Sequence, residues 1–320
     1  HEMLVAGCRG CIMEVSSLAL LQQRTNCIDF DVAVFTNLTR DHLDYHADMH
    51  EYFESKARLF LDGDPARRIV SVDTEYGERL AADCGTDVIV VATGLDRAPN
   101  GRPYLIVRSV VATDQGSDVV FTSSWGDGEF SLQLPGDFNV ANAALVLALL
   151  LSKGAPVDTA CDVMSQLQAP PGRMQRVAVD AVERPMQRVA TDSSAAFIDY
   201  AHSPDALEAV LLALRAHCRG QLWCVFGCGG DRDKGKRPQM GKVAERHSDH
   251  VVITTDNPRS EDAQSIIDDI LAGLAHADAT TVIEDRAAAI AWAVEQTREH
   301  DVVLIAGKGH EDYQESNGQR

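Results

Sequence analysis

The 320-residue sequence contains no G-x-x-x-x-G-K-[ST] run, so it lacks the loop that most often cradles nucleotide phosphates. It is also short of positive charge: 29 Lys and Arg stand against 48 Asp and Glu, a formal net charge of -19. That balance excludes a general nucleic-acid binder, because phosphate backbones need a basic footprint. No apolar stretch is long enough to span a bilayer and no secretory leader pattern is present, so the expected compartment is the cytoplasm, with no membrane partner. Eight cysteines are scattered, and Cys8-Arg9-Gly10-Cys11 is a C-x-x-C without a partner pair. The thiols are therefore expected to be free and mostly buried.

What is there is ordinary globular composition, 45% hydrophobic and 24% charged, over a length that allows two domains with separate cores. The best linker is Ala169-Pro170-Pro171-Gly172-Arg173, which gives expected domains of 1–170 and 171–320. Apolar runs predict strands at Cys11 to Val15, Val32 to Phe35, Ile69 to Val72, Asp87 to Val91, Ala195 to Asp199, Leu222 to Phe226, His250 to Thr254 and Val302 to Ala306, with hairpins between Tyr104 and Leu134. Helical spacing fits Leu18 to Arg24, Asp48 to Phe60, the run opened by Leu134-Pro135-Gly136-Asp137, and Val157 to Leu167. The expected fold is α/β: a mostly parallel sheet with a small antiparallel part, then a Rossmann-like C-terminal domain. Met174-Gln175-Arg176-Val177-Ala178 recurs as Met186-Gln187-Arg188-Val189-Ala190, an echo with no evident chemistry.

Chemistry gathers in the strand-to-helix passage from Thr36 to Phe60, rich in carboxylates and histidines and carrying Lys56 four residues after Tyr52. Ligands of open α/β sheets collect at the carboxyl ends of strands, so Asn37, Asp41, His42 and His46 are expected at a crevice mouth. From residue types alone a solvated loop is an equal reading, and Lys56 either snorkels to solvent or meets a divalent cation. Near the other end, Leu222 to Phe226 exits into Gly227-Cys228-Gly229-Gly230, followed by the densest basic run, Arg232 to Arg237. This is close to a dinucleotide fingerprint, but Arg232 stands where a third glycine is needed. The next exits deliver Thr255-Asp256-Asn257-Pro258-Arg259 and Gly307-Lys308-Gly309-His310-Glu311. Three strand ends thus offer an arginine, an Asp-Asn-Arg set and an acid, which suits a zwitterion.

The stretch NLTRDHLDYHADMHEYFESK from Asn37 to Lys56 resembles the signature of the Mur ligases, the ATP-dependent amide-bond enzymes of peptidoglycan precursor synthesis. MEVSS at 13–17, PGRM at 171–174 and DYAHSPDAL at 199–207 are similar to further pieces of that pattern. The resemblance implies that Glu14, His42 and a carbamylated Lys56 form the catalytic set and hold Mg2+, the carbamate giving this hard ion an anionic oxygen ligand. It also implies that Ser16, Gln22 and Arg24 contact the UDP-N-acetylmuramoyl dipeptide and that Asn139, Asn142, Arg173 and Asp199 contact ATP. Family members often carry His and Gly after the two serines, where this chain has Leu18 and Ala19. DNPR at 256–259 is similar to the motif of members that add meso-diaminopimelate; Arg232, Asp256, Asn257, Arg259, Gly307 and Glu311 would hold that amino acid. The same resemblance, with the missing phosphate loop, implies a monomeric fragment that starts inside the central ATPase domain and is inactive alone. Three other readings stay open: a folylpolyglutamate synthase-like ligase, which should not carry DNPR with these acids and arginines; a nicotinamide dehydrogenase, which would need glycine at position 232 and an acid about twenty residues on; and a non-catalytic binding module.

Overall fold

The computed structural model describes residues 5–39, 45–95, 99, 101–113, 116–178 and 195–319. The chain divides into two compact units, 1–105 and 106–320. Among the described residues no helix is long and apolar enough to cross a membrane.

In the first unit, α1 (Ser17–Leu21) precedes β1 (Val32–Phe35), α2 (Met49–Leu61), β2 (Arg67–Ser71), α3 (Glu75–Asp83) and β3 (Ile89–Thr93). The strands β1, β2 and β3 pair in parallel, with Phe35 level with Val70 and Val70 level with Val90. Parallel neighbours need a crossover, and α2 and α3 supply them. Asp48 starts α2 by accepting from the Glu51 amide, while the Glu51 carboxylate reaches back to the Ala47 amide, so both ends of the first turn are satisfied. Tyr52, Phe53, Ala57 and Phe60 then fall on one face and pack with Phe35, Val70, Leu80 and Val90. The expected strand at Cys11 to Val15 does not form: residues 11–16 are irregular and 11–14 are exposed. An apolar run without a pairing edge has no ladder to join.

β4 (Tyr104–Thr113) runs from the end of the first unit into the second, where β5 (Gly116–Ser123) and β6 (Gly128–Leu132) follow beside it in chain order, β5 and β6 antiparallel. Helices α4 (Asp137–Ser152) and α5 (Val157–Met164) follow, and then β7 (Gln175–Ala178). The first copy of the sequence echo supplies β7; the second lies outside the described residues. The remaining elements are β8 (Ala195–Asp199), α6 (Pro204–His217), β9 (Leu222–Phe226), α7 (Lys236–His247), β10 (His250–Ile253), α8 (Ala263–Leu271), β11 (Thr281–Val282), α9 (Arg286–Gln296) and β12 (Val302–Ala306). They build a six-stranded sheet in the order β11-β10-β9-β12-β8-β7, parallel from β11 to β8 with β7 antiparallel at the edge.

Side chains of this sheet alternate between two cores. Leu222, Cys224, Phe226, Ile253 and Leu304 pack with Leu207 and Leu211 of α6, Met240 of α7 and Ile267 of α8. Trp223, Val225, Val252 and Val303 pack on the other face with Ala289 and Ala293 of α9. The sheet is therefore wound on both faces, and strand order reverses between β9 and β12, the position where open α/β sheets hold ligands. The thiols differ from expectation: Cys224 and Cys228 are buried, whereas Cys8, Cys11 and Cys27 are exposed and the other three are half-buried. Burial alone pushes the Cys224 thiol up to about 12, which leaves it inert. Phe226 has no exposed surface. Phe226→Ala should lower the unfolding free energy by about 3–5 kcal/mol through lost burial and a residual cavity, measured by urea denaturation.

Candidate functional site

The exits of β9, β10 and β12 end level with one another. Ile253 pairs with Phe226, and Ile305 with Val225. The segments 227–232, 255–259 and 307–311 therefore leave the same edge beside the point of reversal.

Asn257 is the centre of this edge. Its side chain is buried; its Nδ2 donates to Glu311 Oε2 at 2.9 Å, and its Oδ1 accepts from Lys308 Nζ and the Glu315 amide, both at 2.9 Å. Lys308 Nζ also reaches Glu311 Oε2 at 3.2 Å. Burial pushes the Glu311 carboxyl up, but the hydrogen bonds from Asn257 and Lys308 and the charges of Lys308 and Arg259 outweigh it and hold the group below the ordinary glutamate value. Asp256 points at Gly307: a β-carbon built there would lie 2.8 Å from Asp256 Oδ2, and the glycine's φ of +111° disfavours any side chain. Arg259 donates from Nη1 to the Gly230 carbonyl at 2.7 Å, with Nε 3.8 Å from Glu315. A β-carbon on Gly229 would meet Arg259 Nη1 at 2.8 Å and Arg232 Cγ at 3.9 Å, so both arginines flank one bare stretch of backbone. Arg232 itself is exposed.

The basic run is less open than its composition suggests. Arg237 is fully buried and bonds Glu261 through both terminal nitrogens, Asp269 at 2.8 Å and the Gly229 carbonyl at 3.3 Å. Lys234 pairs with Glu261 at 2.9 Å, and Lys236 donates to the His202 carbonyl. Glu261 in turn accepts from the Asp231 amide, which ties the two loops carrying Arg232 and Arg259 together. Hydrogen bonds from Arg237, then Lys234 and the Asp231 amide, hold the Glu261 carboxyl down at about 2.

Asp199 sits where the linker meets the sheet. Its carboxylate is buried and accepts from the Met174 amide at 2.8 Å and the Ala201 amide at 2.7 Å, while its carbonyl accepts from Gly307 and Gly309. Burial raises this carboxyl's pKa, against the lowering effect of the Met174 and Ala201 amides. Arg173 is exposed and lies 4.4 Å over the Tyr200 ring. Gly172 takes φ +71°, and a β-carbon on it would come within 2.1 Å of the His310 amide, so only glycine lets linker and loop touch. Asn139 is half-buried and spends its Nδ2 on the Pro135 carbonyl, closing the first turn of α4; Asn142 is exposed.

In the first unit, Ser16 caps α1 by accepting from the Ala19 amide, and Gln22 follows its last turn; Glu14, Gln22 and Arg24 are exposed. Lys56 is half-buried with Nζ 5.3 Å from the Tyr52 ring centre. Asp41 and His42 lie outside the described residues. His46 does not stand at a crevice mouth: it is buried, stacked on Tyr52 and bonded to Ser17 Oγ at 2.9 Å. Carboxylate and carbamate oxygens suit Mg2+ chemically. Among the described residues, however, no group of three or more His, Cys, Asp and Glu side chains stands close enough to hold a metal.

The model of the Mur ligase middle domain matches residues 1–150, and that of the Mur ligase glutamate ligase domain matches residues 184–309. The chain belongs to the Mur ligase family. The UDP-N-acetylmuramoyl-L-alanyl-D-glutamate--2,6-diaminopimelate ligase of Coxiella burnetii (strain RSA 493 / Nine Mile phase I) is 44% identical to this Mur ligase chain over 314 residues, covering 98% of the chain and 62% of the relative. A solved structure of a ligase of the same description superposes with a TM-score of 0.60 at 35% identity, over 96% of the chain and 61% of that structure. Folylpolyglutamate synthase of Mycobacterium tuberculosis, complexed with ADP and AMPPCP, shares the fold with a TM-score of 0.64 at 20% identity, over 88% of the chain and 62% of that structure. The chain spans about three fifths of the length of these relatives. Mur ligases in general use ATP and Mg2+.

Sequence reasoning missed Lys308, Arg237, Glu261 and Glu315. The i, i+3 spacing of Lys308 and Glu311 was a usable signal; nothing local marks a glutamate 24 residues beyond Arg237 as its partner. The depressed Glu261 carboxyl has a sign that can be tested. Its folded value of about 2 lies below the ordinary 4.5, so the stability it contributes is full above pH 4.5 and is lost as pH falls toward 2. The destabilisation caused by Glu261→Gln should accordingly be largest near neutrality and shrink between pH 4.5 and 2, read from urea unfolding across that range.

Proposed function

We propose that this chain carries the amino-acid and nucleotide sites of an ATP-dependent amide ligase that adds meso-diaminopimelate to UDP-N-acetylmuramoyl-L-alanyl-D-glutamate in the cytoplasm. The observation that carries this reading is the convergence of Arg232, Asp256, Arg259 and Glu311 on one sheet edge at the point of strand reversal. Two arginines fork carboxylates, and two acids accept from an ammonium. A ligand with both charges at its far end answers that set; lysine, which lacks the distal carboxylate, would leave half-buried Arg259 with only the Gly230 carbonyl and the longer contact to Glu315, a cost of ~1–3 kcal/mol. The 44% identity to a diaminopimelate ligase supports the same conclusion. The folylpolyglutamate synthase reading has only the shared fold in its favour.

In the proposed reaction the γ-phosphoryl group of ATP passes to the D-glutamate carboxylate, giving an acyl phosphate and ADP. The neutral amine of diaminopimelate attacks the acyl carbon, the tetrahedral intermediate expels phosphate, and the nitrogen gives up a proton as the amide forms. The amino-acid site supplies orientation, holding the remote end so that the attacking amine is presented at a fixed distance. Asn139, Asn142, Arg173 and Asp199 are proposed at the nucleotide, with Asp199 serving chiefly to hold the 172–174 turn against β8. Ser16, Gln22 and Arg24 are proposed at the UDP-peptide. Glu14, His42 and carbamylated Lys56 would hold Mg2+, whose role when bound is to neutralise phosphate and acyl oxygens. The proposed domain boundary is the Ala169–Arg173 linker, and the protein is proposed to act as a monomer.

Calorimetry on the purified protein should register binding of meso-diaminopimelate and none of NADH; heat from NADH alone would replace this reading with the dehydrogenase one. In the enzyme that contains this chain, Lys56→Ala should abolish ATP-dependent ligation, and added bicarbonate should not restore it; full turnover by the variant would dismiss the carbamate.

A further inference from the structure

Lys308 belongs to none of the ligand contacts proposed above, yet among the described residues it is the one buried lysine, 6% exposed. Its ammonium donates to Asn257 Oδ1 at 2.9 Å and Glu311 Oε2 at 3.2 Å, and it lies 5.4 Å from the Tyr313 ring centre. A buried ammonium costs several kcal/mol of desolvation in general, and it persists only where acceptors and an opposite charge offset that cost. The offset here comes from the same two side chains that form the floor of the amino-acid edge.

Counting charge at that edge shows what Lys308 contributes. Asp231, Asp256, Glu311 and Glu315 are the acids, and Arg232, Arg259, Arg286 and Lys308 the bases, so these side chains balance with Lys308 present and are negative without it. Arg286, beneath, spends its hydrogen bonds on the carbonyls of Ala306 and Thr255 and keeps its charge toward Asp256 and Glu311. A neutral edge suits a ligand of zero net charge such as a diamino dicarboxylate. A negative edge would favour a ligand of net charge +1, such as a diamino monocarboxylate.

We infer that Lys308 is a specificity-determining positioning residue: it sets the charge of the amino-acid site and so its preference for a diamino dicarboxylate over lysine. This rests on the diaminopimelate reading given above. Lys308 also fixes Asn257. With Oδ1 accepting from Lys308 and Glu315, the amide must turn Nδ2 toward Glu311, and one glutamate oxygen is thereby occupied while Oε1 is left for an incoming ammonium.

The test compares dissociation constants for meso-diaminopimelate and L-lysine by calorimetry on the whole protein and its variants. Lys308→Met and Lys308→Gln should lower the diaminopimelate-over-lysine affinity ratio by roughly tenfold or more, and Lys308→Arg should keep it within about threefold. Glu315→Gln, which leaves Lys308 in place and removes an acid from the same edge, should move the ratio the opposite way and decides the matter if the neutral Lys308 variants do not fold. Folded neutral variants with the wild-type ratio, an arginine variant as impaired as the neutral ones, or an unmoved Glu315→Gln ratio would each overturn the inference about Lys308 while leaving the diaminopimelate reading intact. A wild-type protein that binds neither amino acid overturns both.

Discussion

The parallel hydrogen-bond ladder from β10 through β9 and β12 to β8 is what the proposed site stands on. In a parallel sheet each strand must be re-entered from the same end, so every return passes through a crossover and every exit lies on one edge. Segments beginning at 199, 227, 254 and 307 are thereby brought together although more than a hundred residues separate the first from the last. The reversal of order between β9 and β12 leaves a gap between crossovers on opposite faces, and the loops beside that gap carry the arginines and acids.

Beneath that edge the protein buries ionised groups, which is tolerable only because each is answered. Arg237 meets Glu261 and Asp269, Lys308 meets Glu311, Arg286 meets two backbone carbonyls, and Asp199 meets two backbone amides. Pairs of this kind add little net stability over apolar residues, because desolvation offsets the attraction. Their consequence is geometric. Arg237 joins the loops at Gly229 and Glu261, Lys308 reaches Asn257 on the next exit, and Arg286 spans Thr255 and Ala306, so that the loops hold a fixed relation before any ligand arrives. The linker takes part as well: Asp199 receives Met174 through its side chain and Gly307 and Gly309 through its carbonyl, coupling the turn at Arg173 to the loop that holds Lys308 and Glu311.

Much of this was legible in residue order. The limits of β8, β9 and β12 coincide with the apolar runs read from the sequence, because a strand buried on both faces is continuously hydrophobic and bounded by polar exits. The helix after Asp48 was equally plain from its one-sided apolar spacing. Other signals misled for physical reasons. Cys11 to Val15 has strand-like composition but no pairing edge, and His46 has the residue type of a ligand but lies packed against Tyr52 and Ser17. The basic run from Arg232 to Arg237 reads as one positive patch, whereas its members face different partners once α7 turns Arg237 inward.

The order of residues determined the family, the α/β character and the groups available at the strand ends, since these follow from short-range pattern and from motifs a few residues long. Tertiary structure alone decided which of those groups face each other and which are spent on one another. Whether Lys308 points outward as a surface cation or inward to hold Asn257 and Glu311 depends on Asp256-Asn257 arriving from a strand fifty residues earlier. No local rule carries that information, because the energy of a buried charge is set by the partners that surround it in space.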